Sequence, residues 1–239
     1  MNKYDTQRPV WRDLLGFVIY FFVPMIFGFI VYLIAPSSFN PNEAQPKFFI
    51  LTSLFTCLSV ITFFVWSHRR HLKANLVQRL RELKSQIKAM FIAYILYAMI
   101  TILMAYALKF LPKAWQFNTT TNQKAILELF QDKAWLPLVF ILLVILTPIT
   151  EELLFRYVII GELGKKLGVW AMGAISVLVF AMLHVAQAKS PFEILPYITM
   201  GLLFVIMYIR SNCNIAVSIA LHMLVNAMAF LGIILQSMA

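Results

Sequence analysis

Charge is scarce in this sequence of 239 residues. Asp, Glu, Lys and Arg make up 13% of it, against about a quarter in an average soluble domain. That deficit excludes an ordinary water-soluble fold. Cysteine is rarer still: Cys57 and Cys213 lie far apart, in or beside apolar segments, so neither a disulfide framework nor a cysteine metal site is indicated. Two hydrolase signatures are missing, the Gly-x-Ser-x-Gly elbow of serine hydrolases and the His-Glu-x-x-His of zinc peptidases. Internal repeats and low-complexity tracts are absent too, which argues against a solenoid and against a disordered linker.

What fills the chain instead is apolar sequence, 62% of it. A spanning helix needs about 20 predominantly apolar residues. Runs near 14–35, 48–66, 90–111, 134–160, 169–188, 193–209 and 214–236 approach or exceed that length. The fold class is therefore all-α, a polytopic transmembrane helix bundle of about seven spans in a single membrane domain covering 1–239. The first run is too long for a signal-peptide core and has no convincing cleavage site, so it reads as a retained helix.

The net charge of +10 raises the question of nucleic acid, and its placement answers it. Lys3, Arg8 and Arg12 precede the first span, and Arg69, Arg70, Lys73, Arg79, Arg81, Lys84 and Lys88 lie together after the second. This is the pattern of loops beside anionic lipid, so the partner is the bilayer and not nucleic acid. A cytoplasmic N-terminus collects 13 of the 20 Lys and Arg residues on the inside. Within the basic stretch, Leu72, Leu76, Leu80, Leu83 and Ile87 recur at steps of three and four, which predicts an amphipathic helix on the membrane surface. The opposite loops, 36–46 and 112–133, are polar, turn-rich connectors.

Eight of the ten acidic residues, among them Asp13, Glu162 and Glu193, fall in predicted loops or at helix ends. Glu151 and Glu152 fall inside the fourth apolar run, where an unpaired charge costs at least ~2.5 kcal/mol on insertion scales. Arg156 lies four residues after Glu152, on one helix face in the favourable acid-first order. Glu151 points about 100° away, which leaves it the freer base. Pro148 removes one helix hydrogen bond and is expected to free the carbonyl of Val144. Of the histidines, His68 and His71 belong to the basic loop, whereas His184 and His222 are embedded in apolar runs and Asn226 follows His222 on the same face.

At about 1.5 Å per residue, Glu151, His184 and His222 lie ~14, ~22 and ~12 Å from their inner helix ends, which permits one cavity in the inner half of the bilayer. If they meet, a carboxylate and an imidazole can deprotonate a water, and a second imidazole with a carboxamide can donate to an oxyanion. Such a set hydrolyses an amide without a cofactor. A zinc-dependent variant uses the same residue types, because Glu and His also ligate zinc. Ser218, close to His222, stands on no special turn and is a poor nucleophile candidate.

Glu151-Glu152-x-x-x-Arg156, Phe180-x-x-x-His184 and His222-x-x-x-Asn226, in this order and each in an apolar helix, resemble the three motifs of the CAAX protease and bacteriocin-processing enzyme family, also called the Abi family. The resemblance covers a core of about 136–235. It implies a glutamic-type intramembrane endopeptidase in which Glu151 and His184 activate water, His222 and Asn226 stabilise the oxyanion, and Glu152 and Arg156 support the site. It also implies a peptide substrate at a bacterial plasma membrane: a bacteriocin or pheromone precursor, or a prenylated tail. Cleavage is expected near the cytoplasmic face. The alternative is a non-catalytic membrane regulator or immunity protein that binds a sensor kinase or a toxin. A proton-relay transporter is a weaker fit, since no two-half repeat with broken helices is visible.

Overall fold

The computed structural model describes residues 8–34, 46–70 and 72–238. Helix is the regular structure throughout the described residues, as expected where an apolar segment must satisfy its own backbone hydrogen bonds. In chain order the helices are α1 (Trp11–Ile34), α2 (Pro46–His68), α3 (Leu72–Phe110), α4 (Thr121–Glu128), α5 (Lys133–Leu167), α6 (Val169–His184), α7 (Pro191–Arg210) and α8 (Ile215–Ser237). Six of them, all except α4 and α6, are long and apolar enough to cross a membrane, and the chain is an integral membrane protein. Each of the seven apolar runs in the sequence is a helix. The connector at 36–45, Lys3 and His71 lie outside the described residues.

Two helices differ from expectation in length. The amphipathic stretch and the third span form one uninterrupted helix, because nothing between Leu72 and Ala107 is a Gly or Pro that would break it. At ~1.5 Å per residue, this helix is about 54 Å long and so outruns a hydrocarbon core of roughly 30 Å. Its basic end is held to the protein: Arg79 donates from Nη1 to the carbonyl of Cys213 at 2.9 Å, and Asn214 donates from Nδ2 to the carbonyl of Arg79 at 3.0 Å. The predicted surface helix is thus the docked beginning of a span. In the other direction, α6 stops at His184 after 16 residues, roughly 24 Å, instead of running to 188. His184 therefore ends a short helix and turns into the bundle.

The helices alternate in direction and define two ends of the molecule. At the N-terminal end, Arg12 donates to the carbonyl of Ser67 at 2.7 Å, Asp13 pairs with His68 at 3.0 Å, and the backbone N–H of Val10 donates to Glu162 at 2.8 Å. At the other end, Lys47 pairs with Asp132 at 3.0 Å and holds that carboxyl below the usual carboxylate range. There too the N–H of Thr121 donates to Glu193 at 2.6 Å, and Ser190 donates to the carbonyl of Trp115 at 2.7 Å. Asp13, Glu162 and Glu193 are buried, so these acids are structural fasteners rather than solvated loop residues.

α5 is the central span, with Leu154, Phe155, Val158 and Ile160 in the core, while α3 turns most of its side chains outward. α6 and α7 approach closely, since a Cβ on Gly201 would lie 3.3 Å from Val177 Cγ1 and one on Gly173 would lie 3.1 Å from Val205 Cγ1. Small residues at such crossings let apolar helices gain dispersion contacts where no hydrophobic effect separates them from lipid. Overpacking this crossing with Gly201→Leu is expected to lower stability by about 1–3 kcal/mol. Gly232→Leu, where an added Cβ meets nothing within 4 Å, should leave the unfolding midpoint in detergent unchanged. Equal midpoints for the two variants would contradict this packing.

Candidate active site

The paired glutamates sit where α5 changes its winding. The helix is α over Leu136–Phe140, π over Ile141–Leu146, α over Thr147–Glu151 and π again over Glu152–Leu163. π turns are rare and recur at functional sites because they open the backbone ladder. Here Pro148 limits the first one. Continuing the i to i+5 pattern would pair the carbonyl of Leu143 with the nitrogen of residue 148, and proline has no N–H. The side chain of Asn226 takes that place, donating from Nδ2 to the Leu143 carbonyl at 2.8 Å. The carbonyl claimed by a side chain is thus Leu143's, one residue before the Val144 expected from α-helical counting. Asn226 clamps α8 to α5.

Glu152 is fully buried and saturated with donors. Arg156 Nη1 donates to Oε1 at 2.8 Å, His222 Nδ1 donates to Oε1 at 2.9 Å, and the Ser218 hydroxyl donates to Oε2. Arg156 is buried as well, with Cζ 4.7 Å from the ring centre of Phe180 and 5.2 Å from that of Phe204. Its Nη2 reaches the carbonyl of Gly201 at 3.5 Å. A carboxylate and a guanidinium in hydrocarbon are tolerable only as such a paired and hydrogen-bonded unit.

Glu151 has a different environment. Its carboxylate lies 3.9 Å from His184 Nε2 and 3.8 Å from His222 Nε2, too far for direct hydrogen bonds. Both rings are fixed from behind. His184 Nδ1 bonds the carbonyl of Phe180 at 2.7 Å; a carbonyl only accepts, so Nδ1 carries a proton and, in the neutral ring, Nε2 is an acceptor. The ring stacks on Tyr197 with centroids 4.8 Å apart. His222 stacks on Phe204 at 4.2 Å, with Nδ1 spent on Glu152. The structure therefore brings all six residues singled out by sequence into one cluster.

The cluster borders a cavity of about 590 Å³. Glu151, His184, His222 and Asn226 line it, whereas Glu152 and Arg156 do not, which separates groups that can meet a ligand from groups that hold them. From there the cavity extends between α3, α7 and α8 to Lys109, Gln116 and Asn118 at the end opposite the N-terminus. With the N-terminus cytoplasmic, this cavity reaches the opposite face of the membrane rather than the cytoplasmic one. Among the described residues, no group of three or more His, Cys, Asp or Glu side chains is placed to hold a metal ion.

Three residues that support the site, Ser218, Tyr197 and Phe204, had no such role in the sequence analysis, where Ser218 was weighed only as a nucleophile. Ser218 precedes His222 by four positions, so the helical spacing that linked His222 to Asn226 also placed it on that face. Tyr197 and Phe204 reach the histidines across helices and left no local signal.

Removing the positive partner of Glu152 isolates a buried charge. Arg156→Met is expected to lose about 3–5 kcal/mol, read as a large fall in the unfolding midpoint in detergent. Asn226→Ala, which leaves one buried carbonyl unpaired, should lose about 1–3 kcal/mol. A milder effect for Arg156→Met than for Asn226→Ala would overturn the ranking.

The chain also resembles known proteins. Residues 133–228 match the family described as type II CAAX prenyl endopeptidase Rce1-like. The Bacillus subtilis (strain 168) protein named "Putative membrane peptidase YdiL" is 36% identical over 105 residues, which cover 44% of this chain and 40% of that protein. No solved structure matches the chain significantly. Helices α5 to α8, which carry every residue of the cluster, thus contain a domain of the Rce1-like CAAX prenyl endopeptidase family, the CAAX protease and bacteriocin-processing group.

Proposed function

We propose that this chain is an intramembrane endopeptidase of the glutamic type that hydrolyses a peptide bond in a membrane-associated substrate, with its catalytic core at about 136–235. One observation carries the reading: the Glu151 carboxylate faces the Nε2 atoms of His184 and His222 across gaps of 3.9 and 3.8 Å at the wall of the cavity. Gaps of that size suit one bridging water. Glu151 takes a proton from the water, while His184 Nε2 accepts its second hydrogen and aims the oxygen. The hydroxide adds to the carbonyl carbon. His222, in its doubly protonated form, donates from Nε2 to the oxyanion, and Glu152 at 2.9 Å from Nδ1 supports that charge. Asn226 offers the second hydrogen of its Nδ2, the first being used on Leu143. When the tetrahedral species collapses, the C–N bond breaks and protonated Glu151 returns its proton to the leaving amine. Glu152 and Arg156 act as positioning residues.

The expected substrates are peptides at a bacterial plasma membrane, such as bacteriocin or pheromone precursors, or prenylated tails. Purified protein in detergent should cleave one member of such a panel. Glu151→Gln is expected to lower the rate by at least 100-fold and His184→Ala by about 100-fold, the usual scale for a lost general base or its orienting partner. A chelator should leave wild-type cleavage unchanged. Chelator-sensitive cleavage would move the assignment to a zinc peptidase. Cleavage unaffected by either substitution would reject this active site and favour a non-catalytic regulator.

A further inference from the structure

We infer that the substrate reaches Glu151 from the extracytoplasmic side of the membrane, so that the peptide cleaved is an exported chain or the outward juxtamembrane part of a membrane protein. The inference rests on the proposed catalytic role of Glu151 and on two further features of the molecule. The first is how the two ends differ in charge. Twelve of the described Lys and Arg residues lie at or near the end that holds Arg12, Arg69, Lys73 and Lys166, against six at the end that holds Lys109 and Lys113. Excess Lys and Arg mark the cytoplasmic side, and acidic residues contribute little to that bias. The basic residues also stand close to spans, where they act most strongly on topology: Arg12 lies within α1, and Arg79 is pinned to the turn before α8.

The second feature is the direction of the cavity. From Glu151 it runs toward Lys109, Gln116 and Asn118, at the end carrying fewer cations. The other way is filled. Below Glu151, Leu154, Phe155, Val158 and Ile160 are packed on α5, and the hydrogen bonds among Asp13, His68 and Tyr157 close the N-terminal end. A peptide entering from the cytoplasm would have to pass through that core.

The chemistry of the wall defines what enters. Met104, Leu108, Ile126, Phe130 and Ile233 make it mostly apolar, and Lys109 is the one Lys or Arg among the lining residues. The wall fits an extended segment with apolar side chains that has already crossed or is leaving the bilayer. Cleavage then follows translocation, which among the expected substrates favours exported bacteriocin or pheromone precursors over prenylated tails.

Cysteine labelling tests this directly. Asn118→Cys and Lys113→Cys report on the cavity end, Lys73→Cys and Lys166→Cys on the other, all at exposed positions, while the native Cys57 and Cys213 are buried and serve as background. A membrane-impermeant maleimide added to intact bacterial cells is expected to label the first pair, and to label the second pair only after permeabilisation. The reverse pattern, or equal labelling of both pairs in intact cells, overturns the inference. Labelling does not depend on turnover, so repeating it in Glu151→Gln keeps the two readings apart. The expected pattern without peptide cleavage would count against the catalytic reading alone, and cleavage with the reverse pattern would count against the access route alone.

Discussion

The buried ion pair between Glu152 and Arg156 is the interaction on which the site depends. Two charges at membrane depth are far from water, and what makes them tolerable is the set of hydrogen-bonding groups and rings around them: the Ser218 hydroxyl and His222 imidazole donating to Glu152, the Gly201 carbonyl accepting from Arg156, and the faces of Phe180 and Phe204. Those groups come from α6, α7 and α8, so satisfying one pair draws three helices onto α5. The orientation of His222 and the stack beneath it follow from the same requirement. Glu151, one residue earlier, is spared these bonds and remains at the cavity wall.

Irregular winding gives that arrangement its room. A regular α-helix through Pro148 would leave a carbonyl without a partner in an apolar setting; here π turns shift the pairing and Asn226 takes up the carbonyl of Leu143. The early end of α6 works in the same way. At its end His184 bonds the carbonyl of Phe180 through Nδ1 and presents Nε2 to Glu151. Two of these departures, the π turn over Ile141–Leu146 and the early end of α6, lie beside the cavity, which Leu143 and His184 line.

The family match covers residues 133–228, within α5 to α8, and α1 to α4 lie outside it. Their role is physical. α1 and α2 close the N-terminal end through Asp13, His68 and Tyr157. α3 borders the cavity with Tyr97, Thr101 and Met104, and it braces the turn at Asn212 and Cys213, two successive non-glycine residues with φ of 57° and 55°. Left-handed backbone at such residues persists only where the surroundings hold it, as Arg79 and Asn214 do here.

Much was legible in the order of residues because the responsible interactions are local or are set by the solvent. Runs of apolar side chains announce helices in hydrocarbon whatever their neighbours. The four-residue step from Glu152 to Arg156 declares an ion pair on one face, and the same step linked His222 to Asn226. Tertiary structure decided what spans long separations. Ser218 and His222 meet Glu152 across 66 and 70 residues, and the Leu143 carbonyl meets Asn226 across 83. Burial of Asp13, Glu162 and Glu193 was likewise hidden, since a polar residue at a helix end looks solvated until its partner on another helix is known. Spacing along one helix reports which side chains share a face; it carries no information on which face of another helix that one meets, and so only the packed bundle determines toward which end the cavity opens.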